Sequence, residues 1–104
     1  MEIPMNLVKR NGELFWEIHV EFILIGDILA ELSRAEQIHP KWPTDPIHAA
    51  AILAEEAGEV MKAVNDVAMD HKRGSDYKTE AIQCAAMCIR FLKNLDKYEW
   101  KIGE

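Results

Sequence analysis

Leu14, Trp16, Ile18, Val20 and Phe22 alternate with mostly polar residues, the period of two that marks a half-buried strand. The same stretch carries a second rhythm. Ile18, Phe22, Ile25, Leu29 and Leu32 recur at intervals of four and three, the period of a helix. Asn11-Gly12 is a type I′ turn signal. We read a short hairpin around Asn11-Gly12 and then a helix reaching about Gln37, with the point of changeover left open.

The pattern breaks at His39–Pro46. Pro40, Pro43 and Pro46 fall within seven residues, and each disfavours helix at the residue before it. Asp45-Pro46 has the chemistry of an N-cap followed by a first helical residue. That start predicts a helix from Pro46 to about Asp70. His71–Ser75 reads as a loop, with Gly74 as a helix stop and Ser75 or Asp76 as the next cap. A last long helix is predicted from Asp76 to about Asp96, with Lys93 and Lys97 suiting its C-terminal dipole. The tail from Tyr98 is expected to be loosely held. Together these elements predict an all-α antiparallel bundle in a single domain, residues 1–104, with a short N-terminal hairpin.

Composition narrows the partners. The chain has 104 residues, 49% of them hydrophobic, and a net charge of −6. That balance argues against a nucleic-acid backbone as the main partner. It leaves room for a nucleotide, because a bound metal reverses the local sign. Cys84 and Cys88 lie one helical turn apart and are poorly placed to bridge each other, so reduced thiols and a cytoplasmic location are expected. No basic n-region precedes an apolar stretch, and no apolar run is long enough for a membrane span. The Ala81–Leu92 segment is apolar around much of its circumference. A helix of that kind must be covered on most sides, which predicts a homodimer or homotetramer.

Charge placement changes the picture most. Glu55, Glu56 and Glu59 follow the apolar run Ala49–Ala54, and Glu80 and Gln83 stand in a second apolar helix. At about 100° per residue, Glu56 and Glu59 are roughly 60° apart and Glu55 and Glu59 roughly 40° apart. No Lys or Arg separates the three acids. Each helix thus offers an i, i+3 oxygen pair, and neighbouring helices so equipped can surround one hard cation. No His stands at i+3 of either cluster, which favours Mg²⁺ or Mn²⁺ over Zn²⁺. The competing reading is a solvated acidic face, with Lys62 pairing Glu59.

Glu-Glu-x-x-Glu followed by Glu-x-x-Gln resembles the paired motif of the all-α NTP pyrophosphohydrolase superfamily. That group holds the MazG-like proteins, the dimeric dUTPases and the dCTP pyrophosphatases, and the MazG-like branch is the most similar. The resemblance runs from His39 to about Leu95. Gln83 stands where the motif usually has Asp, and its carbonyl can coordinate Mg²⁺ without adding charge. The resemblance implies a MazG-like bundle that cleaves nucleoside triphosphates between the α and β phosphates with Mg²⁺. Carried over by motif position, Glu56, Glu59, Glu80 and Gln83 form the metal shell. Glu55, Glu56, Glu59 and Glu80 are the implied catalytic acids, with Glu55 as a second-metal ligand or the base that orients water.

Three further residues are candidates for substrate contact. Arg90 lies on nearly the same face as Gln83, about 10 Å along the axis, and suits a phosphate. A surface Arg or an interface ion pair is the alternative. Trp42 precedes the first acid-bearing helix and can stack on a base, which the resemblance supports, or can pack the proline-rich turn. His48, two turns before Glu55, lines the pocket or packs. Two other functions stay open: a nucleotide- and metal-binding protein of the same fold with weak turnover, and a structural helical dimer with solvated acids.

Overall fold

The computed structural model describes residues 11–70 and 76–101, with side chains from 18 to 69 and from 76 to 101. Three helices account for most of them: α1 (Asn11–Ile38), α2 (Pro46–Asp70) and α3 (Tyr77–Lys93), followed by a single 3₁₀ turn at Leu95–Lys97. The fold is an all-α bundle.

The hairpin expected around Asn11-Gly12 is corrected for the described residues. Asn11 and Gly12 open α1, and Leu14–Phe22 continue it. The helical period wins over the alternation. An isolated two-stranded ribbon is marginal in water, whereas a helix satisfies its backbone within one segment. Residues 1–10, the other arm of that hairpin, lie outside the described residues.

The predicted start of α2 follows from its cap. The Asp45 carboxylate accepts from the Ile47 amide at 3.0 Å, and Pro46 behind it is buried. Pro46 lacks an N–H, so nothing is lost by placing it in the first turn. Asp76 caps α3 in the same way, accepting from the Thr79 amide at 2.9 Å. The Thr79 hydroxyl and amide hold the Asp76 carboxyl below the usual carboxylate range. The expected loop at 71–75 lies outside the described residues.

α3 is the central helix. It packs against both α1 and α2, while α1 and α2 barely touch. The apolar residues buried by these contacts are Leu32, Ala35, Ala49, Ala63 and Ala86. Four of the five are alanines, and small side chains at a crossing allow helix axes to approach closely. Bulkier apolar groups stay outside: Phe22, Ile23, Ile25 and Leu29 on α1, and Met61, Val64 and Met69 on α2.

The loose tail is also corrected. The Tyr98 hydroxyl donates to the Phe91 carbonyl at 2.9 Å and accepts from Trp42 Nε1 at 2.9 Å. The Glu99 amide donates to the Thr44 carbonyl at 2.9 Å. Tyr98 and Glu99 therefore fasten the end of α3 to the α1–α2 connector. Arg90 completes the fastening from inside. It is 4% exposed, and its Nη2 donates to the carbonyls of His39 and Lys41. Its guanidinium lies 5.1 Å from the Trp42 ring centroid, a cation–π distance.

Arg90→Ala removes that donor from both connector carbonyls and uncovers one face of Trp42. Chemical denaturation should show a loss of about 2–4 kcal/mol. Lys93→Ala breaks only the exposed Lys93–Glu36 pair, and should cost less than about 1 kcal/mol. Equal effects of the two substitutions would remove Arg90 from this role.

Candidate functional site

The helices that carry the two acid clusters are neighbours. α2 carries Glu55, Glu56 and Glu59, and α3 packed beside it carries Glu80 and Gln83. Glu56, Glu80 and Gln83 are half-buried, and Glu55 and Glu59 are exposed. Burial pushes the Glu56 carboxyl above the usual carboxylate range, and repulsion from Glu80, Glu55, Glu59 and Glu31 adds to it. Desolvation and like charge act in the same direction on a carboxylate. Among the described residues, no Lys or Arg pairs with Glu55, Glu56, Glu59 or Glu80. The Glu59–Lys62 ion pair of the solvated-face reading is not formed.

Glu56 and Gln83 open onto a cleft of about 220 Å³, which Glu31, Arg34, His39 and Arg90 also line. Glu31 and Arg34 come from α1, so all three helices contribute. Sequence reasoning missed both. The i, i+3 spacing of an acid and a base beside the buried Leu32 and Ala35 was the available signal, but nothing local says that this face of α1 turns toward Glu56.

The other predicted residues separate. Trp42 lines a second cleft of about 430 Å³ with Pro40, Lys93, Asn94 and Lys97. Arg90 borders both clefts and is neither a surface Arg nor part of an ion pair among the described residues. His48 is exposed and lines neither of these two clefts. Burial pushes the Cys84 thiol up, with Cys88 adding to it. Both cysteines are free, and a protonated Cys84 is a poor nucleophile.

The residues fit Mg²⁺ in chemistry. They present hard oxygen donors, and the repulsion on Glu56 is what a divalent cation relieves. They do not stand as a finished coordination shell: among the described residues, no three Asp, Glu, His or Cys side chains are grouped to hold a metal ion. Comparison with protein-family models, with curated proteins and with solved structures gave no match.

The raised Glu56 carboxyl sets a pH dependence. The folded state holds this proton more tightly than the unfolded chain does. Without metal, its contribution is therefore fully favourable below the ordinary carboxylate range and is lost as pH rises through the raised folded value. Glu56→Gln should raise the metal-free melting temperature at pH 7 and flatten its decline as pH rises above the ordinary carboxylate range. Metal affinity of the wild type should rise over the same window, because the cation competes with the proton. A melting temperature at pH 7 lowered by Glu56→Gln would contradict this electrostatic account.

Proposed function

We propose that this chain is a Mg²⁺-dependent nucleoside triphosphate pyrophosphohydrolase of the MazG-like type, cutting the α–β bond to give a monophosphate and pyrophosphate. One observation carries the reading: a half-buried glutamate opens onto a cleft, the charges of four other acids add to the effect of its burial, and it has no cationic partner among the described residues. Structural faces seldom accumulate such repulsion, whereas metal sites require it.

Glu56, Glu59, Glu80 and the amide oxygen of Gln83 are the residues that would hold the ion, and Mn²⁺ suits the same donors. Bound there, Mg²⁺ would neutralise phosphate charge and lower the pKa of a water. Glu55 stands exposed beside them and serves as the proton acceptor for the attacking water. The water oxygen bonds to the α-phosphorus as the bond to the α–β bridging oxygen breaks. The electron pair of that bond leaves with pyrophosphate. Trp42, on the larger cleft, is the candidate base contact, with His48 near the rim of the acid-bearing helix. Arg90 contributes charge from the wall between the two clefts. A net charge of −6 supports a small anionic substrate carried in with metal rather than a nucleic acid.

The protein works as a homodimer or homotetramer in this reading. The support is the thin core. Among the described residues the buried apolar ones are Leu32 and four alanines spread over the three helices, and α1 leaves Phe22, Ile23, Leu24, Ile25 and Leu29 exposed. Contiguous apolar surface of that kind marks an interaction face. Free thiols suit a cytoplasmic setting. No described helix is long and apolar enough to cross a membrane.

A second reading is favoured by the unassembled ligand set and the neutral Gln83: nucleotide and metal binding with weak turnover. Product analysis separates the two. With Mg²⁺ and a panel of triphosphates, the hydrolase releases monophosphate plus pyrophosphate. Diphosphate plus phosphate excludes α–β cleavage. Gln83→Asp adds the missing charge and should raise activity at low Mg²⁺. No turnover by either protein selects the binding reading. Sedimentation at micromolar concentration should show a dimer or tetramer, and a monomer of undiminished thermal stability would reject the assembly.

A further inference from the structure

The acid cleft has a cation at its mouth that the chemistry above does not use. Arg34 Nε donates to both carboxylate oxygens of Glu31, at 2.6 and 2.9 Å, and its Nη2 pairs with one of them. The two side chains differ widely in exposure, 56% for Arg34 and 10% for Glu31. The carboxylate is thus sunk in the wall and the guanidinium arm reaches into solvent. Both line the same cleft as Glu56 and Gln83.

The cleft has one other guanidinium, and it is committed. Arg90 is 4% exposed, and its Nη2 holds two backbone carbonyls of the connector. Moving it would undo the fastening of α3. Arg34 is tied only to a residue one turn away on its own helix, and such pairs are weak because the arm stays solvated. A triphosphate carries more negative charge than one divalent cation cancels, and it would enter beside Glu31 and Glu56. An exposed guanidinium held only by a pair on its own helix is the group that would offset the remainder, and its planar fork matches two phosphate oxygens at once.

We propose that Arg34 is the phosphate-tail ligand of this cleft: its guanidinium leaves Glu31 and takes the β- and γ-phosphates of a metal-bound triphosphate. The assignment rests on the pyrophosphohydrolase reading. The exchange is balanced in charge, since Arg34 trades one oxyanion for another. A cation held by Glu56 would then offset the charge of Glu31 in place of the guanidinium. The contact touches only the part of the substrate that departs as pyrophosphate. It therefore favours triphosphate binding over monophosphate binding and lets the monophosphate product go.

Calorimetry with a nucleoside triphosphate bearing a methylene bridge between the α and β phosphorus atoms tests this, with Mg²⁺ present and without turnover. The corresponding monophosphate is the second probe. Arg34→Ala should weaken the triphosphate analogue by about tenfold or more and leave the monophosphate within about twofold. Arg34→Lys should fall between, keeping charge without the fork. The melting temperature should stay close to that of the wild type, which removes misfolding as the cause. Unchanged binding of the analogue by Arg34→Ala, or equal loss for both probes, overturns the assignment while leaving the hydrolase reading standing. A wild type that binds no triphosphate analogue in the panel overturns both.

Discussion

The buried guanidinium of Arg90 is the interaction on which the rest of this structure depends. Among the described residues the buried apolar members of the core are Leu32 and four alanines, too few to fix three helices by apolar packing alone. Arg90 adds direction to that packing. It reaches from α3 to two carbonyls of the connector and lies against Trp42, whose indole N–H is in turn taken by Tyr98. The connector so held delivers Asp45 and Pro46 to the start of α2. The start of α2 then sets the rotation at which Glu56 meets α3. A charged group this deep is tolerable only because its hydrogen bonds are made on the spot.

The acid cluster works against the fold that carries it. Burial and the charges of four other carboxylates all disfavour ionised Glu56. The position of α3 makes the arrangement possible. Because α1 and α2 both lean on α3 and scarcely on each other, a cleft stays open between them. Glu31 and Arg34 reach into it from one side and Glu56 from the other.

What was legible in the sequence was local. The start of α2 followed from Asp45-Pro46, and that of α3 from a cap at Ser75 or Asp76, of which Asp76 takes the role, because both signals act within one turn. That the helices of Glu55, Glu56, Glu59 and Glu80 are neighbours was legible, because these helices follow each other closely in the chain. The N-terminal half of α1 was misjudged because two periods overlapped there, and a period alone does not rank them. The roles of Arg90, Tyr98 and Glu31 were invisible for a different reason. Arg90 meets residues 51 and 49 positions away, and Trp42 meets Tyr98 across 56. Such partners are fixed by how the helices cross, and no window of sequence contains that information.

The acceptors of Arg90 belong to the backbone, and that has a consequence for how this sequence can vary. Every residue, proline included, presents the same backbone carbonyl. His39 and Lys41 can therefore change identity while the path of the connector is kept. The burden of identity falls wholly on the donor, because only an arginine offers a planar, permanently charged fork to two carbonyls and an indole face together. Drift is cheap on one side of the contact and forbidden on the other. A short, proline-rich crossing can thus be rewritten over time with the helices beneath it undisturbed.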